Sequence, residues 1–247
     1  MTNVVGPRAV FGVIVPSTNT VVEHDYWRAG IEGVAFRAGS MYIPDPTIDG
    51  DAGFEALLTQ IRGSIDDAVR DVLTAEPERM VMGMSAETFW GGTAGNVAFE
   101  KRISERTGLP VTTGASACRE ALRVLGAKRI AVFSPYQPVA DREVGRFFTE
   151  AGFDVTAITG LRCPTAMDIA RVEEPRLREM VAEIDSPEVD AIVQVGTNLS
   201  FVKQAEALEA ELGKPVVAIN AATLWHALRE HGIDDQVSGH GSLLRDH

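Results

Sequence analysis

The stretch AIVQVGTNLSF, residues 191–201, decides how this chain is read. A short apolar run ends on a glycine, a hydroxyl and an amide, and the chain then takes up the helical spacing of VKQAEALEAEL. A buried strand of a parallel sheet has this form, because both of its faces are covered and its sequence does not alternate. RMVMGMSAETF, residues 79–89, shows the same order, with Gly83 where the later stretch has Gly196. One chain therefore ends two buried strands in the same way.

Further runs of strand length are VFGVIV (10–15), VAFRAG (34–39), PVTTG (110–114), RIAVFS (129–134), DVTAI (154–158) and PVVAIN (215–220). Between them, FEALLTQIRGSIDDAVRDVLTA and EPRLREMVAEID repeat apolar residues at three and four, the period of an amphipathic helix. Strands interleaved with helices predict parallel sheets covered on both faces. The order also recurs. VFGVIVPSTNT matches RIAVFSPYQPV, with Pro16 opposite Pro135, and GLPVTTGASACREALRVLG matches GKPVVAINAATLWHALREHG. The expected fold is α/β, two similar parallel-sheet halves related by a pseudo-twofold with a cleft between them. The halves are expected at 1–115 and 116–219, with the tail 220–247 packed on the first.

Ligands of open α/β sheets bind outside the carboxyl ends of the strands. Two facing halves would bring PSTNT, MSAET, SPYQ and GTNLS to one cleft. All four are rich in hydroxyl and amide groups, and all are expected to lead into helix N-termini, where free N–H groups favour anions. In any one loop these residues read as helix caps. Four such loops at one cleft point to a carboxylate ligand. None of the four carries a basic residue, so neutral donors are expected to hold it.

The net charge of −12 argues against nucleic acid, which needs a basic face. No apolar run approaches the ~20 residues of a spanning helix, so no membrane is expected. MTNVVGPRAVFGVIV lacks the basic stretch and cleavage site of a secretion signal, which makes the cytoplasm the expected location. Two cysteines, Cys118 and Cys163, make neither a disulfide framework nor a zinc site, and no nucleotide or metal motif is present. The expectation is no cofactor and no metal.

GVIVPSTNTVVE, MGMSAETFWGG, RIAVFSPY and GTNLSFVKQAEALEAELGKPVVAINAATLW, in this order, resemble the aspartate/glutamate racemase superfamily. The likeness runs nearly the whole chain and is nearest to the branch of maleate cis-trans isomerase, arylmalonate decarboxylase and the ectoine-utilisation protein. It implies cofactor-independent isomerase or lyase chemistry on a small carboxylate or dicarboxylate, and a homo-oligomer. In that superfamily two cysteines face each other across the cleft as acid, base or nucleophile. The corresponding positions here are Gly83 and Gly196. Arylmalonate decarboxylases share the first glycine but keep the second cysteine. Loss of catalysis, leaving a carboxylate-binding or accessory protein, is the alternative.

The resemblance further implies that Asn19 holds a carboxylate and that Ser85, with neighbouring N–H groups, binds the same or a second one. It assigns a phenol donor to Tyr136 and completes the site with Thr197 and Asn198 at the head of the next helix. Gly83, Met84 and Gly196 belong to the same binding loops. A further family asparagine falls near Ala166, so the far end of the ligand is expected to differ from maleate. Ser85, Glu87 and Tyr136 are the candidates for catalysis. Glu87 reads either as a base or as a first-turn acid complementing the helix dipole. Cys163 lies in a segment that borders the site in relatives, Cys118 sits at core spacing, and His24 and His226 read as surface or packed residues. Phe89 to Gly92, FWGG, reads as core more than as cavity wall.

Overall fold

The computed structural model describes residues 3–247. The first half runs β1 (Ala9–Pro16), α1 (Val22–Arg28), β2 (Val34–Met41), α2 (Gly50–Leu73), β3 (Arg79–Met82), α3 (Ala86–Phe89), α4 (Gly92–Thr107), β4 (Val111–Thr113) and α5 (Gly114–Val124). The second runs β5 (Arg129–Ser134), α6 (Pro138–Glu150), β6 (Asp154–Gly160), α7 (Ala166–Ala170), α8 (Glu174–Ile184), β7 (Ala191–Gln194), α9 (Val202–Leu212), β8 (Val216–Ala218) and α10 (Ile219–Arg229), with α11 (Ser242–Asp246) after it. All eight apolar runs of the sequence are strands.

The first sheet has the order β2-β1-β3-β4 and the second β6-β5-β7-β8, with every pairing parallel. The second sheet therefore repeats the first strand for strand, as the matched motifs required. Central strands β1, β3, β5 and β7 are almost wholly buried, which explains their unbroken apolar sequence. Edge strand β6 has no fully buried residue, being exposed or half-buried throughout, and one side of it meets no neighbouring strand.

Helix α10 packs against α5, α1, β3 and β4, so the last long helix returns to the first sheet. Other links cross between the halves near the strand ends. Asp51, at the start of α2, accepts hydrogen bonds from the Val139 N–H and from Arg142, each at 2.8 Å, and so caps α6. Ile48 N–H donates to the Pro164 carbonyl at 2.7 Å and Met167 N–H to Asp45 at 3.1 Å. The loop after β2 is thus strapped onto the second half, over the carboxyl ends of both sheets.

Candidate functional site

Beneath that strap lies a cavity of about 70 Å³, lined by the loops after β1, β3, β5 and β7. Of the residues expected from sequence, Asn19, Met84, Ser85, Glu87, Tyr136, Gly196, Thr197 and Asn198 line it. Gly83 does not. The place of its missing Cβ faces inward, 2.6 Å from Val15 Cγ1 and 3.2 Å from Val22 Cγ1, so the residue belongs to the packing of β1 and α1. Its carbonyl instead accepts the Thr197 hydroxyl at 3.1 Å.

The polar end is a cross-half network. Ser85 Oγ and the Tyr136 phenol share a hydrogen bond. Thr197 N–H donates to Ser85 Oγ at 3.2 Å, and Asn19 Nδ2 donates to Thr197 Oγ1 at 3.2 Å. Behind it, Asn220 Nδ2 donates to the Thr197 carbonyl at 3.0 Å and to buried Asp25 at 2.9 Å. Burial pushes the Tyr136 phenol well above its ordinary pKa, a shift that the Ser85 hydrogen bond opposes. The phenol therefore carries its proton at neutral pH and acts as a donor. Among the described residues, the backbone N–H groups of Ser85 and Asn198 have no acceptor, and neither does the hydroxyl of Thr18, which also lines the cavity. These groups are donors that face the cavity from the loops after β1, β3 and β7.

The opposite end is apolar. Ile43 and Ile48 of the strap, Phe54, Leu57, Leu58 and Ile61 of α2, and Ile169 of α7 wall it. The stripe on α2 continues through Ile65, Val69 and Val72, all fully buried. One stripe thus roofs the cavity at its first turns and packs on the first sheet at its last, which helical spacing alone does not separate. The Tyr136 ring meets Phe54 edge-on at 5.4 Å, where the two ends join.

Two candidates are engaged differently from their sequence reading. Glu87 accepts from Arg62 Nε with both oxygens at 2.9 Å, and the Arg62 guanidinium lies 5.8 Å from the Trp90 ring centre. Its carboxylate ties α3 to α2 and is occupied by a cation, which argues against a free base. Arg62 was missed because it stands on a helix distant in sequence from the four loops. Asn198 accepts from Thr20 N–H at 3.0 Å and donates to the carbonyls of Thr18 at 3.2 Å and Ala166 at 2.9 Å. Its amide is spent on joining three loops. Nor does it head a helix, since α9 starts only at Val202. Asn198→Ala is accordingly expected to lower stability by about 2–4 kcal/mol in urea unfolding, from the buried groups left unpaired. Unchanged stability in that variant would show that the latch carries no weight.

Asn19 is divided between roles: its Oδ1 accepts from Val21 and Val22 N–H at 3.0 Å, capping α1, while Nδ2 faces Thr197. Cys163 and Ala166 also line the cavity. Burial pushes the Cys163 thiol up to about 11, with Asp168 adding to the shift, so it is protonated at neutral pH. Cys118 is fully buried in α5. His24 is exposed and His226 is half-buried on α10, where burial lowers its pKa. Phe89 packs on Phe147 and Phe148 at 5.2 and 5.6 Å and is core.

A model of the arylmalonate decarboxylase family matches residues 11–244. The chain is 30% identical over 246 residues to a maleate isomerase of Pseudomonas putida, covering 94% of this chain and 96% of that one. It is 28% identical over 226 residues to the arylmalonate decarboxylase of Bordetella bronchiseptica, covering 90% of each. Its fold matches the structure of a Nocardia farcinica maleate cis-trans isomerase mutant with a covalently bound succinylcysteine intermediate. The TM-score is 0.86 at 24% identity, with 97% of this chain and 99% of that one aligned.

Proposed function

The chain belongs to the arylmalonate decarboxylase family, and we propose that it is a cofactor-independent isomerase or lyase acting on a small carboxylate that bears an apolar substituent. One observation carries the reading: loops from both sheets meet in a single cavity whose polar end gathers hydroxyl and N–H donors, with the one lining carboxylate, Glu87, paired to Arg62, and whose other end is hydrocarbon. A carboxylate at the polar end receives the hydroxyls of Tyr136, Ser85 and Thr18 and the free N–H groups of Ser85 and Asn198. Those donors stabilise the negative charge that grows on the carboxylate when a bond at the neighbouring carbon breaks heterolytically. The apolar end suits a hydrocarbon group and disfavours a second free charge, which would be desolvated there without a partner. Tyr136, protonated at neutral pH, serves this site as a hydrogen-bond donor to the carboxylate.

Gly196 supports a second reading. A Cβ there would run into the Pro135 ring, so this backbone does not accommodate a thiol at a position where the family resemblance expects one. A binding protein that keeps the carboxylate clamp without turnover fits the same observation. Proton NMR in D2O with maleate, methylmalonate and phenylmalonate separates the two. Decarboxylation, isomerisation or deuterium at the α-carbon is expected of the enzyme. Binding of an acid without change supports the second reading, and neither binding nor turnover with all three acids overturns both. Cys118→Ser and Cys163→Ser are each expected to keep the activity found, whereas its loss in folded Cys163→Ser alone would move the chemistry to that thiol.

A further inference from the structure

Tyr136 stands just past the end of β5, and both of its backbone polar groups lead to one carboxylate. Its N–H donates to Ser134 Oγ at 3.0 Å, and that hydroxyl donates to Asp141 Oδ1. Its carbonyl accepts from the Arg162 guanidinium, and the same nitrogen of Arg162 donates to Asp141 Oδ2. Asp141, in the first turn of α6, is only 5% exposed. Two flanking bonds hold the segment after β6 alongside: Leu161 N–H to the Ser134 carbonyl at 2.8 Å, and Cys163 N–H to the Pro135 carbonyl at 3.0 Å.

The backbone is shaped to admit this arrangement. Arg162 has φ +57°, the left-handed region that a residue with a Cβ seldom adopts. That turn directs its side chain back under Tyr136. A Cβ at Gly160 would lie 2.7 Å from the Tyr136 carbonyl oxygen and would also strike Asp141 and the Arg162 guanidinium, so glycine leaves the passage open. The Arg162 side chain is 41% exposed, too open to be retained as core packing.

We infer that Asp141 and Arg162, acting through Ser134 and the backbone on both sides of Tyr136, are positioning residues that fix the direction of the Tyr136 phenol into the cavity. Its importance for ligand binding rests on the proposed function, whereas the positioning itself does not. Neither residue lines the cavity, so neither touches the ligand.

The chain has three tyrosines, and 3-fluorotyrosine labelling gives each a ¹⁹F line, with that of Tyr136 identified by its loss in Tyr136→Phe. Tyr26, 2% exposed, reports on the core, and Tyr42, 71% exposed, on the surface. In Arg162→Met the Tyr136 line is expected to move and to broaden or split, while the Tyr26 line stays in place. Arg162→Lys, which keeps a cation able to reach Asp141, is expected to restore part of the wild-type line, and it serves as the probe if Arg162→Met does not fold. An unmoved Tyr136 line, or Tyr26 and Tyr136 lines moving together, overturns the positioning role. A second arm titrates phenylmalonate by calorimetry. Arg162→Met is expected to weaken binding about tenfold in the wild-type background and not at all in Tyr136→Phe. Equal weakening in both backgrounds overturns the inference. Absence of phenylmalonate binding by the wild type counts against the functional reading, and the fluorine lines then decide the positioning.

Discussion

Gly196→Cys is expected to lose about 2–6 kcal/mol of stability and to gain no thiol-dependent activity. Gly196 has φ +101°, a conformation closed to residues with a side chain at little cost. Its missing Cβ would also stand 2.6 Å from Pro135 Cγ, and a proline ring has nowhere to rotate. Backbone strain contributes about 1–3 kcal/mol and forced repacking a similar amount. Against a total of about 5–15 kcal/mol for a folded protein, such a loss is large. Guanidinium unfolding of the variant measures it. Wild-type stability in Gly196→Cys would mean that the glycine is not demanded by the backbone. Gly83→Cys is expected to cost less, because Gly83 lacks a positive φ and its nearest obstacle is the Val15 side chain.

The alternation of apolar runs and helical stripes was enough to read all eight strands and both parallel sheets. These signals are local: a strand buried on both faces must be apolar throughout, whatever lies around it. The four strand-end loops were legible for the same reason, since Ser85, Tyr136 and Thr197 follow directly from the ends of their strands. What lay beyond local pattern was orientation and partnership. Gly83 and Met84 are adjacent, yet only Met84 reaches the cavity, a matter of which way each residue faces past the end of β3. The apolar wall of α2 looks in sequence like the rest of its core stripe. Arg62 pairs with Glu87 across 25 residues, and Arg162 reaches Asp141 across 21, contacts that no spacing rule marks. Asn198 has the composition of a ligand donor, and only its three hydrogen bonds reveal a latch.

Ser85→Ala and Tyr136→Phe are each expected to weaken binding of a carboxylic acid by about 1.5–3 kcal/mol, roughly tenfold to a hundredfold. Both hydroxyls are buried at the polar end, Ser85 3% and Tyr136 6% exposed, and a carboxylate oxygen accepts from such donors through short charge-assisted bonds. Because the two hydroxyls bond each other, removing both is expected to cost less than the two single losses together. The apolar wall should be indifferent to either change, since neither alters its hydrocarbon surface. The most direct measurement is a calorimetric titration of phenylmalonate and of its diamide into wild-type protein and these two variants. The expected result is that the acid binds much more tightly than the diamide to the wild type and that each variant loses most of that preference. Equal affinity for acid and diamide in the wild type, or undiminished binding of the acid by both variants, would contradict a carboxylate site built on Ser85 and Tyr136.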